Sequence, residues 1–440
     1  MKIAMIGTGY VGLVSGTCFS EFGHEVVCVD TNKDKIALLK QGTSPIFEPG
    51  IEPMIAKNLQ AGRLTFSTDL KSAVAEADAV FIGVGTPSRR GDGQADLTYV
   101  FAAAREIAHA ISRYTVIVTK STVPVGTGAR IEQIIGEICD SEQFDVVSNP
   151  EFLREGAAIE DFMRPDRVVV GTSSEKARTV MEEIYRPLSL IQTPMLFTSL
   201  ESSELTKYAG NAFLATKITF INEMADLCEK VGADIHDVAK GIGLDGRIGQ
   251  KFLHAGPGFG GSCFPKDTRA LYQTSVESRS PLRIVEAVID INEARKISMA
   301  EKIETACGGS VKGKKIAILG LTFKPNTDDM RESPSLDIIP NLQQSGAQIH
   351  AYDPEGMTEA KELLPEVTFY ENAYDTLEGA DALVIITEWN EFRALDLNRV
   401  KAAMAKPVMV DLRNIYEPGD MLLQGFDYSC VGRPSDTLKT

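Results

Sequence analysis

The chain has 440 residues, 43% of them hydrophobic and 24% charged, with a formal net charge of −16. That length suggests two or three domains with ample material for a core, and the acidic balance argues against nucleic acid or an anionic membrane as partner. No apolar run is long enough to span a bilayer, and the sequence opens directly in strand-like Lys2-Ile3-Ala4-Met5-Ile6 without a basic leader, so no signal peptide is expected.

In the first half, short apolar, β-branched runs at 2–6, 25–30, 79–84, 115–119 and 146–148 alternate with helical stretches. That alternation predicts an α/β, doubly wound parallel sheet. Gly7-Thr8-Gly9-Tyr10-Val11-Gly12 follows the first strand and opens a helix, and the second strand ends in Asp30. In this context G-x-G-x-x-G reads as a dinucleotide site. Gly7 permits the tight turn, Gly9 lets the backbone approach a pyrophosphate, and Gly12 lets the helix pack on the strand. The helix N-terminus favours phosphate. Asp30 accepts hydrogen bonds from ribose hydroxyls and repels a 2′-phosphate, which selects NAD over NADP. Thr86 and Thr122 follow later strands, at the carboxyl ends where such sheets hold ligands, and are placed to touch the cofactor.

From about residue 202 the pattern changes to helix. An unbroken amphipathic stretch at 204–231 would be roughly 40 Å long at ~1.5 Å per residue. It serves either as a dimer face or as a helix buried within one subunit. Residues 281–307 read as a further helix. After Gly308-Gly309-Ser310 the α/β pattern restarts, with strands expected at 314–319, 348–352, 382–387 and 407–411. The domains are therefore placed at 1–200, 201–308 and 309–440, with two Rossmann-like domains joined by a central helical region. The polar tail 435–440 is expected to be mobile.

Seven cysteines and five histidines are scattered, with no C-x-x-C pair and no histidine pair at ligand spacing. A reducing, cytoplasmic setting and no metal follow from this. Cys263 stands apart in Phe252-Leu253-His254-Ala255-Gly256-Pro257-Gly258-Phe259-Gly260-Gly261-Ser262-Cys263-Phe264-Pro265-Lys266-Asp267. Dense glycine means a sharply bent backbone or one close to a ligand. A cysteine beside cations can ionise and act as a nucleophile.

Gly-Gly-Ser-Cys-Phe-Pro-Lys-Asp at 260–267 resembles the active-site motif of the UDP-glucose and GDP-mannose dehydrogenase family. The resemblance continues at Asn149-Pro150-Glu151-Phe152-Leu153-Arg154-Glu155-Gly156, at 164–171, at Lys207-Tyr208-Ala209-Gly210-Asn211-Ala212, and at 321–334, spanning nearly the whole chain in order. The segments 164–171 and 243–249 look like the UDP-glucose branch. Phe259 stands where tyrosine is frequent.

The resemblance implies an NAD-dependent, four-electron oxidation of the primary alcohol of UDP-glucose. The aldehyde is held on Cys263 as a thiohemiacetal and then a thioester. Lys207 and Asn211 share a helix face and would cradle the oxyanion. Asp267 would be the base or orient water, and Glu151 and Thr122 would position water and shuttle the proton. Lys207 and a water held by Asp267 both stand as candidates for removing the first proton. Substrate contacts implied are Glu151, Phe152, Leu153, Arg154 and Glu155, largely through backbone groups. They continue with Lys207, Asn211, Phe252, Leu253, His254, Ala255, Gly256, Gly260 and Lys324. Arg247 would reach a partner subunit's substrate, so a homodimer or higher homo-oligomer is expected. Cofactor contacts would add Tyr10, Val11, Lys35, Glu155, Lys266 and Arg331 to the glycine loop. Lys324 and Arg247 would supply the local positive charge that the acidic chain lacks.

The nearest rival is the same chemistry on GDP-mannose or a UDP-N-acetylhexosamine. A two-domain dehydrogenase with one hydride transfer needs no cysteine. A non-catalytic NAD-binding scaffold would keep none of Cys263, Lys207 and Asp267 for a reason.

Overall fold

The computed structural model describes residues 1–87, 89 and 95–434, so the tail expected to be mobile lies outside the described residues. The chain forms two compact units. One is Met1–Gly210 with Gln273–Ser280, and the other is Asn211–Tyr272 with Pro281–Thr440.

The first unit is built on an eight-stranded sheet. Its strands are β1 (Lys2–Ile6), β2 (Glu25–Val29), β3 (Leu64–Ser67), β4 (Ala79–Ile82), β5 (Thr115–Thr119), β6 (Phe144–Ser148), β7 (Val168–Gly171) and β8 (Met195–Thr198). The order is β3-β2-β1-β4-β5-β6-β7-β8. All neighbours are parallel except β6 and β7. The first six strands thus reverse direction of growth between β1 and β4, which opens a crevice at their carboxyl ends. Side chains alternate across β1: Ile3 and Met5 join one core with Phe19 and Phe81, while Ala4 and Ile6 join another with Val80 and Ile117. A sheet buried on both faces explains why these strands read as continuous apolar runs. Strand β2 stops at Val29, which leaves Asp30 as the first residue past the ladder.

The second unit repeats the plan with β9 (Lys315–Leu319), β10 (Gln348–Tyr352), β11 (Thr368–Phe369), β12 (Ala382–Ile385), β13 (Val408–Asp411) and β14 (Asp427–Cys430). Their order, β11-β10-β9-β12-β13-β14, is all parallel and again places the reversal beside the first strand. The α/β, doubly wound expectation holds for both sheets.

Five helices bear on the candidate site: α1 (Tyr10–Glu21), α2 (Thr127–Gly136), α3 (Leu200–Val231), α4 (Phe264–Glu277) and α5 (Arg283–Ala306). The long helix α3 has 32 residues and starts one turn before the expected 204. Its first turn, Leu200 to Ser203, is mostly polar and hides the onset. Ala212, Ala215, Ile221, Ala225 and Cys228 are buried, while Phe213, Phe220, Leu227 and Val231 are exposed on another face. The central region is not all helix. An irregular, glycine-rich segment of residues 250–263 precedes α4, and every residue of it from 255 to 261 is buried.

Candidate functional site

The glycine loop has the geometry that its residues impose. Gly7 sits at φ +98°, where a side chain is strained, and a Cβ on Gly12 would lie 2.0 Å from the Gly7 carbonyl oxygen. A Cβ on Gly9 would meet nothing within 4 Å, so that face of the loop is open to a ligand. The α1 ladder begins with Leu13 N–H donating to Gly9 O. The N–H groups before it point out of the helix.

Asp30 accepts the Thr8 N–H (3.0 Å) and hydroxyl (2.7 Å) on Oδ2 and the Asn32 N–H (3.0 Å) on Oδ1. Lys35 Nζ lies 3.7 Å away. Burial opposes its ionisation, but these bonds and the Lys35 charge outweigh it and hold the carboxyl below its usual range. Asp30 therefore braces the glycine loop. Oδ1 carries one such bond and keeps a lone pair for a further donor.

Tyr10 turns its hydroxyl inward onto the buried Glu48 carboxylate. Burial, then the Glu48 bond, pushes the phenol well above its usual range. Glu48 also accepts Gly156 N–H (2.7 Å) and Ala158 N–H (2.8 Å), which ties the glycine loop to the segment 151–156. Val11 is partly exposed on the first turn of α1. Beyond β4 and β5, Thr86 donates its hydroxyl to Thr122 O at 3.1 Å, so these two threonines meet.

Glu151 Oε1 and Lys207 Nζ form an ion pair at 3.1 Å, and both side chains are almost fully buried. The Phe152 ring lies under both Lys207 Nζ (5.3 Å) and the Arg167 guanidinium (3.6 Å). Glu151 also accepts the Leu153 N–H, which bends the loop back on itself. Arg154 is instead paired to Asp161 at the surface (2.6 Å), and Glu155 is partly exposed.

Two buried ionisable residues here escape a sequence reading. Lys120 donates to Asn149 Oδ1 (3.1 Å) and to the Tyr185 hydroxyl (3.2 Å). Burial pushes its ammonium down to about 7, with Glu151 pulling upward and Lys207 adding to the fall. Glu204, one turn before Lys207, accepts the N–H groups of Gly126 and Gly128, each at 2.7 Å, where α2 begins. Burial pushes its carboxyl up to about 7, and those bonds offset part of that.

In the second unit, Cys263 occupies the N-terminus of α4, where its carbonyl accepts the Asp267 N–H at 2.8 Å. A helix N-terminus stabilises negative charge within its first turn. Ser262 Oγ lies 3.5 Å from Cys263 Sγ. Asp267 is fully buried, with Oδ2 accepting from Asn211 Nδ2 (2.6 Å) and Oδ1 from Lys266 Nζ (2.6 Å). Lys207 and Asn211, four residues apart on α3, are both buried, so they do not form a solvated helix face. Each faces a carboxylate, Glu151 and Asp267 respectively.

The approach to Cys263 is anchored at several points. Phe252 adopts φ +65°, Leu253 and Ala255 are buried, and His254 is exposed. Gly256 donates to Asn222 Oδ1 (2.9 Å) and accepts from Arg295 Nε (2.7 Å). A Cβ on Gly260 would lie 2.2 Å from Glu332 O, so this glycine serves packing of the chain on itself. Lys324 Nζ is 5.4 Å from the Phe323 ring centroid. Arg413, missed in sequence, donates to Phe323 O (3.1 Å) beside it. Arg331 is held in a bidentate pair with Asp329. Arg247 pairs with Asp245 and keeps its side chain 90% exposed. Among the described residues no group of three or more His, Cys, Asp or Glu is arranged to hold a metal, and no disulfide joins the cysteines.

Comparison with known proteins identifies the family of the chain. The NAD binding domain of the UDP-glucose/GDP-mannose dehydrogenase family matches residues 1–189, its central domain 201–294, and its UDP binding domain 317–418. The chain is 61% identical over 436 residues to the UDP-glucose 6-dehydrogenase of Rhizobium meliloti strain 1021, covering 99% of this chain and 100% of that protein. It is 51% identical to a UDP-glucose 6-dehydrogenase of Bacillus subtilis strain 168, covering 99% and 94%. The solved UDP-glucose dehydrogenase of the hyperthermophilic archaeon Pyrobaculum islandicum superposes with a TM-score of 0.89 at 38% identity, over 97% of this chain and 96% of that one. With all three family domains matched in order and a full-length relative at this identity, the chain belongs to the UDP-glucose/GDP-mannose dehydrogenase family.

Proposed function

We propose that this protein oxidises the primary alcohol of UDP-glucose to the carboxylate of UDP-glucuronate, using NAD and a covalent intermediate on Cys263. The observation that carries the reading is the position of Cys263 at the N-terminus of α4, one turn before the buried Asp267 that Asn211 and Lys266 hold in place. Residues 1–200 bind NAD, 201–308 carry the nucleophile and the assembly surface, and 309–440 bind the uridine diphosphate.

The glycine loop fits a dinucleotide: Gly9 leaves room for a pyrophosphate, and Asp30 keeps an acceptor for a ribose hydroxyl. When bound, NAD accepts hydride from C6 in each of two oxidations. The chain's own residues do the rest. Gly7, Gly9, Tyr10, Val11, Gly12, Asp30, Lys35, Thr86, Thr122, Glu155, Lys266 and Arg331 bind and orient that cofactor. Cys263 Sγ adds to C6 of the aldehyde to form the thiohemiacetal, so no aldehyde leaves. After the second oxidation the thioester is cleaved by water. The C–S bond breaks, the carboxylate departs, and the thiol is restored. Lys207 and Asn211 donate toward the oxygen on C6, where negative charge grows. The first proton goes to Lys207 or to a water held by Asp267, and Glu151 with Thr122 positions the hydrolytic water.

Assembly follows from two features. Arg247 stands almost fully exposed, suited to a neighbouring subunit's diphosphate. Phe213, Phe220, Leu227 and Val231 leave an apolar stripe on α3 uncovered that a second copy would bury. The protein works as at least a homodimer, in the reducing cytoplasm. Among the described residues no helix is long and apolar enough to cross a membrane.

Steady-state rates with pure nucleotide sugars test the substrate. UDP-glucose is expected to exceed GDP-mannose and UDP-N-acetylhexosamines by about 100-fold in kcat/KM, the discrimination a fitted pocket supplies. Equal or better turnover of one of the others would overturn the assignment. Asp30→Ala tests the cofactor. It removes a charged hydrogen-bond partner worth about 1.5–3 kcal/mol, so KM for NAD should rise roughly 10- to 100-fold and the preference over NADP should relax. Unchanged kinetics with both would show that Asp30 does not read the ribose.

A further inference from the structure

The loop before Cys263 lies buried without helix or sheet to satisfy its backbone, so side chains and single backbone contacts must do so. Asn292 on α5 takes the central place. Its Oδ1 accepts the Phe259 N–H at 2.8 Å, and its Nδ2 donates to Phe259 O at 3.0 Å. A single amide thus pairs both polar groups of one residue, as a neighbouring strand would. Asn292 is itself buried, and a Cβ on Gly258 would come within 3.0 Å of its Oδ1. Burying an amide is costly unless it is fully bonded, and here both of its polar atoms are bonded to the loop. Further along, Gly261 donates to Arg331 O at 2.8 Å, and Arg295 on α5 holds Gly256 O. From Phe259 to the first turn of α4 the chain therefore has little freedom.

We propose that Asn292 is a positioning residue that sets Cys263 Sγ against the reacting carbon, which rests on the reading of Cys263 as nucleophile. Both polar atoms of the Asn292 side chain are taken up by Phe259. Its effect passes through Phe259 and the four residues after it.

The test compares Asn292→Ala and Asn292→Asp with Ile303→Ala, which empties a fully buried site on the same helix. Asn292→Asp keeps the acceptor for the Phe259 N–H but turns an oxygen toward Phe259 O, so it carries the test if the alanine variant does not fold. A displaced nucleophile should lower turnover by roughly 10- to 100-fold, the cost of about 1 Å of misplacement, with KM for NAD changed less than about twofold. Aldehyde should escape, trapped as a hydrazone, and NADH per UDP-glucose should fall below about two. Iodoacetamide labelling of the ligand-free protein, read peptide by peptide, should be at least about fivefold faster at Cys263 and unchanged at the partly exposed Cys139 and Cys307. Ile303→Ala should lose stability yet keep stoichiometry and Cys263 labelling. Unchanged labelling and stoichiometry in the Asn292 variants, or equal changes in Ile303→Ala, would overturn the proposal. A wild-type enzyme that releases aldehyde would instead contradict the nucleophile reading, and the labelling would still decide the role of Asn292.

Discussion

Cys263→Ser is expected to bind NAD and UDP-glucose and to stop turning over, with a loss on the order of 10⁴-fold, or about 5.5 kcal/mol of barrier. In the proposed mechanism two demands fall on this residue: it attacks an aldehyde, and it later leaves when water hydrolyses the acyl-enzyme. Thiols ionise near pH 8.5, and the N-terminus of α4 favours the anion on position 263. A serine hydroxyl is far less acidic and its ester is a poorer substrate for hydrolysis. If serine adds and the second oxidation proceeds, an acyl ester should accumulate as added mass on the peptide holding position 263. If serine cannot add, no adduct forms and turnover fails. Cys263→Ala should be inactive without any adduct. Near-normal formation of UDP-glucuronate by both variants would mean that another residue carries the chemistry.

Legibility in the sequence tracks burial. Strands β1, β4, β5, β9 and β12 lie in sheet interiors and are buried along almost their whole length, so their runs are plainly apolar. The strands that a pattern reading misses lie mostly at sheet edges: β3 and β8 in the first sheet, β11 and β14 in the second. An edge strand pairs on one side only; Asp427-Tyr428-Ser429-Cys430 carries polar side chains, while Met195-Leu196-Phe197-Thr198 is apolar but only four residues long and partly exposed. Strand β7 is fully buried and lies inside a segment that reads as a family motif. In the site, Cys263 is marked by its glycines, and Asp30 by its spacing from the glycine loop. Glu48, Lys120 and Glu204 carry no such mark, because each is a single polar residue whose partners come from distant segments. Asn292 leaves a trace. On α5 the buried positions are 285, 288, 292, 295, 296, 299, 300 and 303, a helical stripe on which Asn292, Arg295 and Lys296 are the polar exceptions. Polar residues on an apolar stripe must be bonded to something: Asn292 and Arg295 bond the loop before Cys263, Arg295 also pairs with Asp226, and Lys296 pairs with Asp337 and Glu332. The acidic total charge gives no hint of the local cations. Lys207 and Lys266 are matched by Glu151 and Asp267, so the fold places charge in pairs.

In the proposed mechanism one active site carries out two successive oxidations without releasing the aldehyde. Passing from alcohol to carboxylate removes four electrons, or two hydrides, and the oxygen gained comes from water. A cysteine that retains the aldehyde makes the second oxidation follow the first on the same molecule. Counting NADH formed from limiting UDP-glucose, with a hydrazine present to trap any escaped aldehyde, measures this directly. About two NADH are expected for each UDP-glucose consumed, with UDP-glucuronate as the product and no hydrazone. A ratio near one, with the hydrazone accumulating in step with NADH, would contradict the mechanism.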